Sequence, residues 1–198
     1  MIEIEKKFSV NQDGLARLIA GAHLLGEKKF TDVYYDTADY ALTKKDIWLR
    51  SREGRFELKF PVAGANEGRD MTAYDEIEDD AGIAAKLGIS GGGQLGALLQ
   101  ALGYLPFATI TTTRMKYEKE GFHIDIDKTD FEYALLEIEL MISSEKEIDA
   151  GYQRILNFAA ANGIPVSEKR TRGKVIEYLW RNNPDHFRAL ETAWNTVL

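Results

Sequence analysis

Charged and apolar residues alternate with a period of two along most of the chain. The alternation is clearest where two charged residues flank one apolar or neutral residue, as in Glu3/Glu5, Arg50/Arg52, Glu57/Lys59, Glu76/Glu78, Arg114/Lys116, Asp125/Asp127 and Glu137/Glu139, with Glu145/Glu147, which flank the charged Lys146, as a weaker eighth pair. Successive side chains of a β-strand point to opposite faces of its sheet, so each pair projects from one face. The pattern therefore predicts a sheet with one apolar face and one charged face that carries both signs.

The pattern predicts a chain that is rich in strands first and rich in helices at the end. Strands are predicted at 1–8, 29–36, 46–52, 55–61, 72–79, 107–118, 121–127 and 132–142, with turns at Glu53-Gly54, Lys119-Glu120-Gly121 and Lys128-Thr129-Asp130. Helices are predicted at 13–25, 81–104 (interrupted by Ser90-Gly91-Gly92-Gly93), 147–162, 168–181 and 185–196. Eight or so mostly antiparallel strands in a chain of this size favour a closed barrel, because closure removes the sheet edges.

Length and composition limit the possible classes of protein. A chain of 198 residues with 44% hydrophobic residues fits one globular domain over 1–198, with C-terminal helices from about 147 packed on the barrel. We expect neither a membrane span nor a signal peptide, because no apolar run is long enough and none follows a basic region at the N-terminus. The absence of cysteine excludes disulfides and thiol chemistry and fits a reducing compartment, so we expect a cytoplasmic protein.

Charge and histidine content narrow the chemistry further. The net charge of −7 argues against general nucleic-acid binding, although a local basic patch could still hold a few phosphates. Three scattered histidines make a His-based zinc site or a Ser–His triad improbable. Carboxylates remain as candidate metal ligands, and they favour hard cations such as Mg²⁺, Mn²⁺ or Ca²⁺.

The charged face is too rich in arginine and paired carboxylates to be only a solvated surface. Arginine matches phosphate oxygens bidentately, whereas carboxylates repel phosphate unless a divalent cation lies between them. A triphosphate with Mg²⁺ would satisfy both sets of side chains, which favours a barrel or cleft that binds a polyanion with its metal. Taken singly, Glu3-Ile4-Glu5-Lys6-Lys7 could be a solvated edge strand, and Arg50/Arg52 could form surface ion pairs. The glycines at 91–93 lack the Gly-Lys-Ser/Thr ending of a phosphate loop and are interpreted as a flexible connection.

Several segments, in the same order along the chain, resemble the CYTH or triphosphate tunnel metalloenzyme superfamily. The N-terminal Glu-Ile-Glu-Lys-Lys matches its ExExK signature, and within the superfamily the chain is most similar to the thiamine triphosphatase family. The matching segments are Val33-Tyr34-Tyr35-Asp36-Thr37, Trp48-Leu49-Arg50-Ser51-Arg52, Phe56-Glu57-Leu58-Lys59, Arg114, Ile124-Asp125-Ile126-Asp127, Thr129-Asp130-Phe131, Leu136-Glu137-Ile138-Glu139, Lys174-Val175-Ile176-Glu177-Tyr178-Leu179 and Asn183-Pro184-Asp185.

The resemblance implies an α+β fold: an eight-stranded antiparallel closed β-barrel, the triphosphate tunnel, with flanking and C-terminal helices. It implies that a divalent metal, Mg²⁺ or Mn²⁺, is held by Glu3, Glu5, Asp125, Glu137 and Glu139. It implies that phosphate oxygens are bound by Lys7, Arg50, Arg52, Lys59, Arg114 and Lys174. Lys59 is the residue expected to act most directly on the reacting phosphoryl group, with Glu76 as a carboxylate that orients basic side chains or water and Tyr34 as a tunnel tyrosine. Glu78 and Lys116 have the right strand parity but no recognised counterpart, so they rank lower.

The activity implied by the resemblance is metal-dependent hydrolysis of the terminal phosphoanhydride of a small triphosphate. Thiamine triphosphate is the first substrate candidate, because an indole at Trp48 could stack on a thiazolium ring. Trp48 could equally pack under a helix. Inorganic triphosphatase, adenylate cyclase and non-catalytic polyphosphate-binding module remain as alternatives. We expect a monomer or homodimer with no nucleic-acid or membrane partner.

Overall fold

The computed structural model describes residues 2–9, 12–62, 72–166 and 171–195. Its eight strands are β1 (Ile2–Ser9), β2 (His23–Asp36), β3 (Trp48–Arg52), β4 (Arg55–Pro61), β5 (Thr72–Ile77), β6 (Leu105–Lys119), β7 (Phe122–Thr129) and β8 (Ala134–Ile142). They form one closed sheet in the order β1-β5-β4-β3-β2-β6-β7-β8, and β8 pairs back onto β1. The predicted closed eight-stranded antiparallel barrel is thus confirmed.

The described residues also form helices around the strands. These are α1 (Gln12–Ile19), α2 (Asp80–Leu87), α3 (Leu95–Ala101), α4 (Ile148–Ala161), α5 (Lys174–Asn182) and α6 (Pro184–Trp194), with short 3₁₀ helices at Thr43–Lys45 and Glu145–Glu147. Among them, no helix is both long and apolar enough to cross a lipid bilayer.

The predicted helix over 13–25 is wrong at its C-terminal end. The helix ends at Ile19, and strand β2 has begun by His23, six residues before the predicted strand start. Gly21 has a φ of 73°, a left-handed conformation that is common where a helix ends and that glycine adopts without steric cost. The apolar residues Leu24 and Leu25 are nearly half exposed, so the pattern that suggested a longer helix does not mark a core face.

Two of the predicted turns have the geometry that two-residue hairpins favour. Glu53 and Gly54 between β3 and β4 have φ values of 52° and 82°. Glu120 and Gly121 between β6 and β7 have φ values of 54° and 80°. Positive φ at both central residues matches the right-handed twist of the flanking strands, and these turns fix the register of both hairpins.

By its internal contacts the chain divides into two compact units. The first unit comprises residues 1–29, 61–75 and 112–174, and the second comprises 30–60, 76–111 and 175–198. In the first unit, α4 contacts β1 and β8, and Ile155 and Phe158 share a buried cluster with Ile4, Ile138 and Leu140 of the strands. The apolar positions of these strands therefore face α4, and the alternate positions carry the charged side chains.

The second unit repeats this arrangement with different elements. Leu49 of β3 and Leu58 of β4 share a buried cluster with Ile83 of α2 and with Leu95 and Leu99 of α3. Asp79 caps the first turn of α2 by accepting a hydrogen bond from the Gly82 backbone N–H at 2.7 Å. Helix packing again covers one face of the strands, so Arg50, Arg52 and Lys59 lie at the alternate positions.

Candidate active site

Strand register in the first unit brings charged residues from four strands into one row. Lys7 of β1 lies opposite Glu137 of β8, Glu137 lies opposite Asp125 of β7, and Asp125 lies opposite Lys116 of β6. The neighbouring row places Glu5 opposite Glu139. Because β1 pairs with both β5 and β8, the interpretation of its N-terminal segment as a solvated edge strand is wrong.

The five carboxylates that the resemblance implied as metal ligands lie in two overlapping groups of three. One group is Glu3, Glu5 and Glu139, and the other is Asp125, Glu137 and Glu139. In each group one oxygen from every residue lies within 4.8 Å of an oxygen of the other two, and Glu139 is common to both. Hard divalent cations prefer oxygen ligands of this type, so the donor set fits Mg²⁺ or Mn²⁺.

Two further observations support the fit to a cation. The Oδ1 atom of Asp125 is buried and accepts no hydrogen bond from the residues that the structure describes, although the Lys116 ammonium lies 3.4 Å away. Burial, followed by the charges of Asp125, Glu3 and Glu137, raises the pKa of Glu139 to about 8. A carboxyl group so crowded by like charges favours a cation that would relieve the repulsion.

Arg114 is the main cation of this cluster. Its Nε and Nη2 atoms donate to the two oxygens of Asp127 at 2.6 and 2.7 Å, its Nη2 also donates to Glu137 at 2.7 Å, and its Nη1 forms an ion pair with Asp125. Burial opposes the charge on Arg114, but the hydrogen bonds and the charges of these three carboxylates outweigh it and raise its pKa. Arg114 is therefore a fixed positive charge beside the candidate metal ligands.

Asp127 is fully buried and joins Arg114 to Lys174, the first residue of α5. The Lys174 ammonium donates to Asp127 Oδ2 at 2.6 Å. Burial alone would raise the pKa of Asp127, but the hydrogen bond from Arg114 and the charge of Lys174 lower it below the usual aspartate value. Asp127 thus aligns two of the predicted phosphate-binding cations.

Lys7 and Lys116 are two further cations of the cluster. Lys7 forms an ion pair with Glu5 and lies 3.9 Å from Glu137. Lys116, which ranked low in the sequence, lies 3.4 Å from Asp125 and 3.3 Å from Glu139. Burial works against its charge, yet the two carboxylates raise the pKa of Lys116.

In the second unit, Arg50 and Arg52 are paired with carboxylates. Arg52 donates to both oxygens of Asp32 at 2.7 and 2.9 Å, and Arg50 donates to Glu57 through Nε at 2.8 Å and lies 3.6 Å from Asp32. Burial opposes the charge on Arg50, but Tyr34, Asp32 and Glu57 raise its pKa. The arginines are ion-paired, as one interpretation of the sequence had it, but their side chains are only 12% and 20% exposed, so they do not form surface pairs.

Lys59, predicted to act on the phosphoryl group, forms an ion pair with Glu76 in this second unit. Both side chains remain partly exposed. This contact agrees with the orienting role expected of Glu76, which stays a prediction. Glu78, the lower-ranked candidate, is exposed and follows the end of β5.

The aromatic residues of the second unit form a contiguous group. Tyr34 is buried, with its ring 6.5 Å from the Trp48 ring and 6.2 Å from the Phe107 ring. Trp48 also contacts Trp194 at the end of α6, with ring centroids 6.1 Å apart, and its Nε1 donates to Asp46 at 2.9 Å. Packing of Trp48 against a C-terminal helix is therefore present, and its stacking on a substrate ring stays a prediction.

Sequence reasoning assigned no role to Asp127 or Asp32, although each joins two cations within its unit. Strand parity could have identified both as residues of the charged face, since Asp127 shares the face of Asp125, and Asp32 shares that of Tyr34. Glu57, which pairs with Arg50, could be placed on the charged face by the same parity, because it shares the face of Lys59.

Comparison with known proteins agrees with this arrangement. A family model described as the CYTH domain matches residues 1–173. A thiamine-triphosphatase from Macaca fascicularis is 32% identical over 208 aligned positions, covering 96% of this chain and 89% of the relative. The structure of the PH1819 protein from Pyrococcus horikoshii superposes with a TM-score of 0.63 at 20% identity, covering 91% of this chain and 99% of that one. A candidate adenylyl cyclase from Hippeastrum, described as having a dominant triphosphatase activity, covers 100% of this chain and 97% of its own with a TM-score of 0.56 at 17% identity. The chain therefore belongs to the CYTH family.

Proposed function

We propose that this protein hydrolyses the terminal phosphoanhydride of a small triphosphate with the help of a divalent metal, and that thiamine triphosphate is the substrate. The observation that carries the proposal is the cluster of the first unit, where two carboxylate triads share Glu139 beside Arg114 and Lys116. Membership of the CYTH family and the similarity to thiamine-triphosphatase support the reaction class.

The charges of the cluster support binding of a divalent cation. Within the described part of the chain, six carboxylates (Glu3, Glu5, Asp125, Asp127, Glu137, Glu139) lie in one cluster with four cations (Lys7, Arg114, Lys116, Lys174). Enclosing an uncompensated charge costs several kcal/mol, as an order of magnitude. We propose Glu3, Glu5, Asp125, Glu137 and Glu139 as the ligands; a bound Mg²⁺ would supply neutralisation of the charge on the phosphoryl oxygens.

The cations of the chain would then bind and orient phosphate oxygens. Arg114 now directs its N–H groups at three carboxylates, two of which are proposed metal ligands. Arg114 and Lys116 would exchange part of this pairing with carboxylates for phosphate oxygens, which also accept charge-assisted hydrogen bonds from guanidinium and ammonium groups. Asp127, outside the proposed ligand set, keeps Arg114 and Lys174 aligned during this exchange.

We propose phosphate-binding roles for Lys7 and Lys174 in the first unit and for Arg50, Arg52 and Lys59 in the second. Lys59 is the proposed donor to the transferred phosphoryl group, with Glu76 holding its ammonium. Phosphoryl transfer depends on positioning and charge stabilisation more than on covalent catalysis, so no nucleophilic side chain is required. Tyr34 would support the first arginine of the pair, because it lies opposite Arg50 in the strand register.

One observation favours inorganic triphosphate as a second candidate substrate. Trp48 is only 8% exposed and already contacts Tyr34 and Trp194. An indole committed to packing would leave the substrate's organic group without a stacking partner.

Phosphate release from a substrate panel tests the proposal. Thiamine triphosphate, inorganic triphosphate, ATP and pyrophosphate are each incubated with Mg²⁺, Mn²⁺ or EDTA. We expect metal-dependent release that is fastest with thiamine triphosphate. Preference for inorganic triphosphate would support the proposed hydrolysis but reject thiamine triphosphate as the substrate. Formation of cyclic AMP from ATP would refute the proposed hydrolysis, and so would binding of these compounds with no turnover of any of them.

A further inference from the structure

The loop between β2 and β3, residues 37–47, is organised around one buried carboxylate. Asp36 Oδ1 accepts hydrogen bonds from the backbone N–H groups of Thr37 at 2.8 Å and Leu42 at 3.0 Å. Its Oδ2 accepts from the Thr43 backbone at 2.8 Å and from the Thr43 hydroxyl at 2.7 Å. Four donors on a carboxylate that is 3% exposed fix the path of the loop.

The hydroxyl of Thr43 determines the tautomer of His186 on α6. Because this hydroxyl gives its only proton to Asp36, its oxygen must accept from His186 Nε2, which lies 2.8 Å away. His186 therefore carries a proton on Nε2. Burial lowers the pKa of His186 to about 4, so near pH 7 the ring is neutral and Nε2 holds its single proton. Its Nδ1 has no hydrogen-bond partner in the part of the chain that the structure describes.

Aromatic contacts hold the imidazole ring in place. The Tyr40 ring stacks on it with centroids 3.8 Å apart and an interplanar angle of 6°. The Phe107 ring meets it edge-on at 4.7 Å. His186 is completely buried, so its ring has one orientation in which to donate to Thr43.

The same helix and loop converge on Trp48 at the end of the loop. Trp194, at the other end of α6, donates from Nε1 to the carbonyl oxygen of Lys44 at 3.2 Å and contacts the Trp48 ring. Asp46 accepts from Trp48 Nε1 while it adopts a φ of 59°, a left-handed conformation that few non-glycine residues take. The orientation of Trp48 thus depends on the loop, and the loop is held on α6.

We propose that His186 is a positioning residue for Trp48: by donating from Nε2 to Thr43, it fixes the 37–47 loop and with it the indole that selects the organic part of the substrate. The selection of substrate rests on the proposed function, whereas the positioning of the indole does not. His186 acts through Thr43 and touches no reacting atom.

Variants of His186 separate donation from mere packing. The side-chain amide of Gln reaches the position of Nε2, whereas the shorter Asn reaches only that of Nδ1, and Phe keeps the ring but has no donor. We expect His186→Asn and His186→Phe to raise the KM for thiamine triphosphate about tenfold, as the loss of a buried hydrogen bond does. We expect His186→Gln to stay within about threefold of wild type. The KM for inorganic triphosphate and the kcat should change less than about twofold in all three variants.

The positioning of the indole is measured without turnover by ¹⁹F NMR of protein labelled with 5-fluorotryptophan. The chain has three tryptophans, and each resonance is assigned by its Trp→Phe variant. We expect the Trp48 resonance to shift or broaden in His186→Asn and His186→Phe, to resemble wild type in His186→Gln, and to be unchanged in the control His23→Gln, which alters an exposed histidine.

Each outcome decides a separate question. A Trp48 resonance that is equal in the Asn, Phe and Gln variants overturns the positioning role. A KM that rises equally for thiamine triphosphate and inorganic triphosphate overturns selection of the organic group by the Trp48 indole. If the wild type hydrolyses no triphosphate, the proposed function fails, and the ¹⁹F comparison of the Gln and Asn variants alone decides whether His186 positions Trp48.

Discussion

Replacement of Glu139 by glutamine should stabilise the metal-free protein while it removes the centre of the proposed metal site. Burial and the neighbouring charges of Asp125, Glu3 and Glu137 raise the pKa of Glu139 from 4.5 to about 8. The folded protein therefore binds more protons than the unfolded chain between these two pH values. Its free energy of unfolding must fall as the pH rises through this window, because the slope follows the excess of protons on the folded state.

The size of the effect follows from the shift. Each pH unit above 4.5 costs the folded state about 1.4 kcal/mol until Glu139 ionises, which gives on the order of 3 kcal/mol at pH 7. The side chain is 6% exposed, so solvent screens little of this cost. Glutamine has no charge to desolvate. The free energy of unfolding of Glu139→Gln should therefore exceed that of wild type by an amount that grows from pH 5 to pH 8.

Urea unfolding at pH 5, 6, 7 and 8 in EDTA measures this gap, with Glu78→Gln as the control because it removes an exposed carboxylate. Adding Mg²⁺ at pH 8 should stabilise wild type by mass action and leave Glu139→Gln unchanged. A gap between Glu139→Gln and wild type that is the same at every pH would refute the argument, and so would equal stabilisation of both by Mg²⁺.

Three other substitutions test separate contacts. Asp127→Asn should lower the free energy of unfolding, measured in urea, by about 3 kcal/mol, because it leaves Arg114 and Lys174 without this buried carboxylate. The control Asp130→Asn, which alters an exposed residue, should change it little. Equal urea midpoints for the two variants would contradict the role of Asp127. Lys59→Ala should reduce kcat at least about a hundredfold, because it removes the proposed hydrogen-bond donor to the transferred phosphoryl group. The melting temperature should change little, because the ion pair of Lys59 with Glu76 is partly exposed. Turnover near that of wild type would reject this role of Lys59. Gly151→Ala should lower the free energy of unfolding by about 1–3 kcal/mol, because the added Cβ would collide with Cδ1 of the buried Ile4 and lie 3.2 Å from Cγ2 of Ile142. An unchanged melting temperature would contradict tight packing of α4 on these side chains.

The strand elements were predictable because their period-two pattern is long and is ended by turn residues with a specific backbone requirement. Glu53-Gly54 and Glu120-Gly121 could be assigned as hairpin turns for this reason. The end of α1 was not predictable in the same way. Leu24 and Leu25 extend the apolar pattern of the helix, but both are exposed and do not belong to the core. In this segment Gly21 was the better signal.

Most residues of the candidate site were predictable from the sequence, but their pairing was not, and Asp127 and Asp32 were assigned no role. Strand parity places Glu137, Glu139 and Asp125 on the charged face, and the family resemblance suggests their role. Strand parity does not say which strands are neighbours. That Lys7 lies opposite Glu137 is therefore known only from the observed pairing of β1 with β8. It was likewise not predictable that Lys174, far along the sequence, would meet Asp127.

The opposite pKa shifts of two carboxylates in one cluster distinguish an architectural role from a ligand-binding one. The charge of Asp127 is satisfied by Arg114 and Lys174, which lower its pKa and make its ionised form part of the fold. Among the residues that the structure describes, Glu139 has one lysine, Lys116, within ion-pair distance and several carboxylates around it, so its ionised form is only partly compensated. A cation that enters the cluster gains most where compensation is lacking. Metal binding should therefore centre on Glu139, the residue common to both triads, and leave the Arg114–Asp127–Lys174 contact intact to hold the phosphate-binding cations.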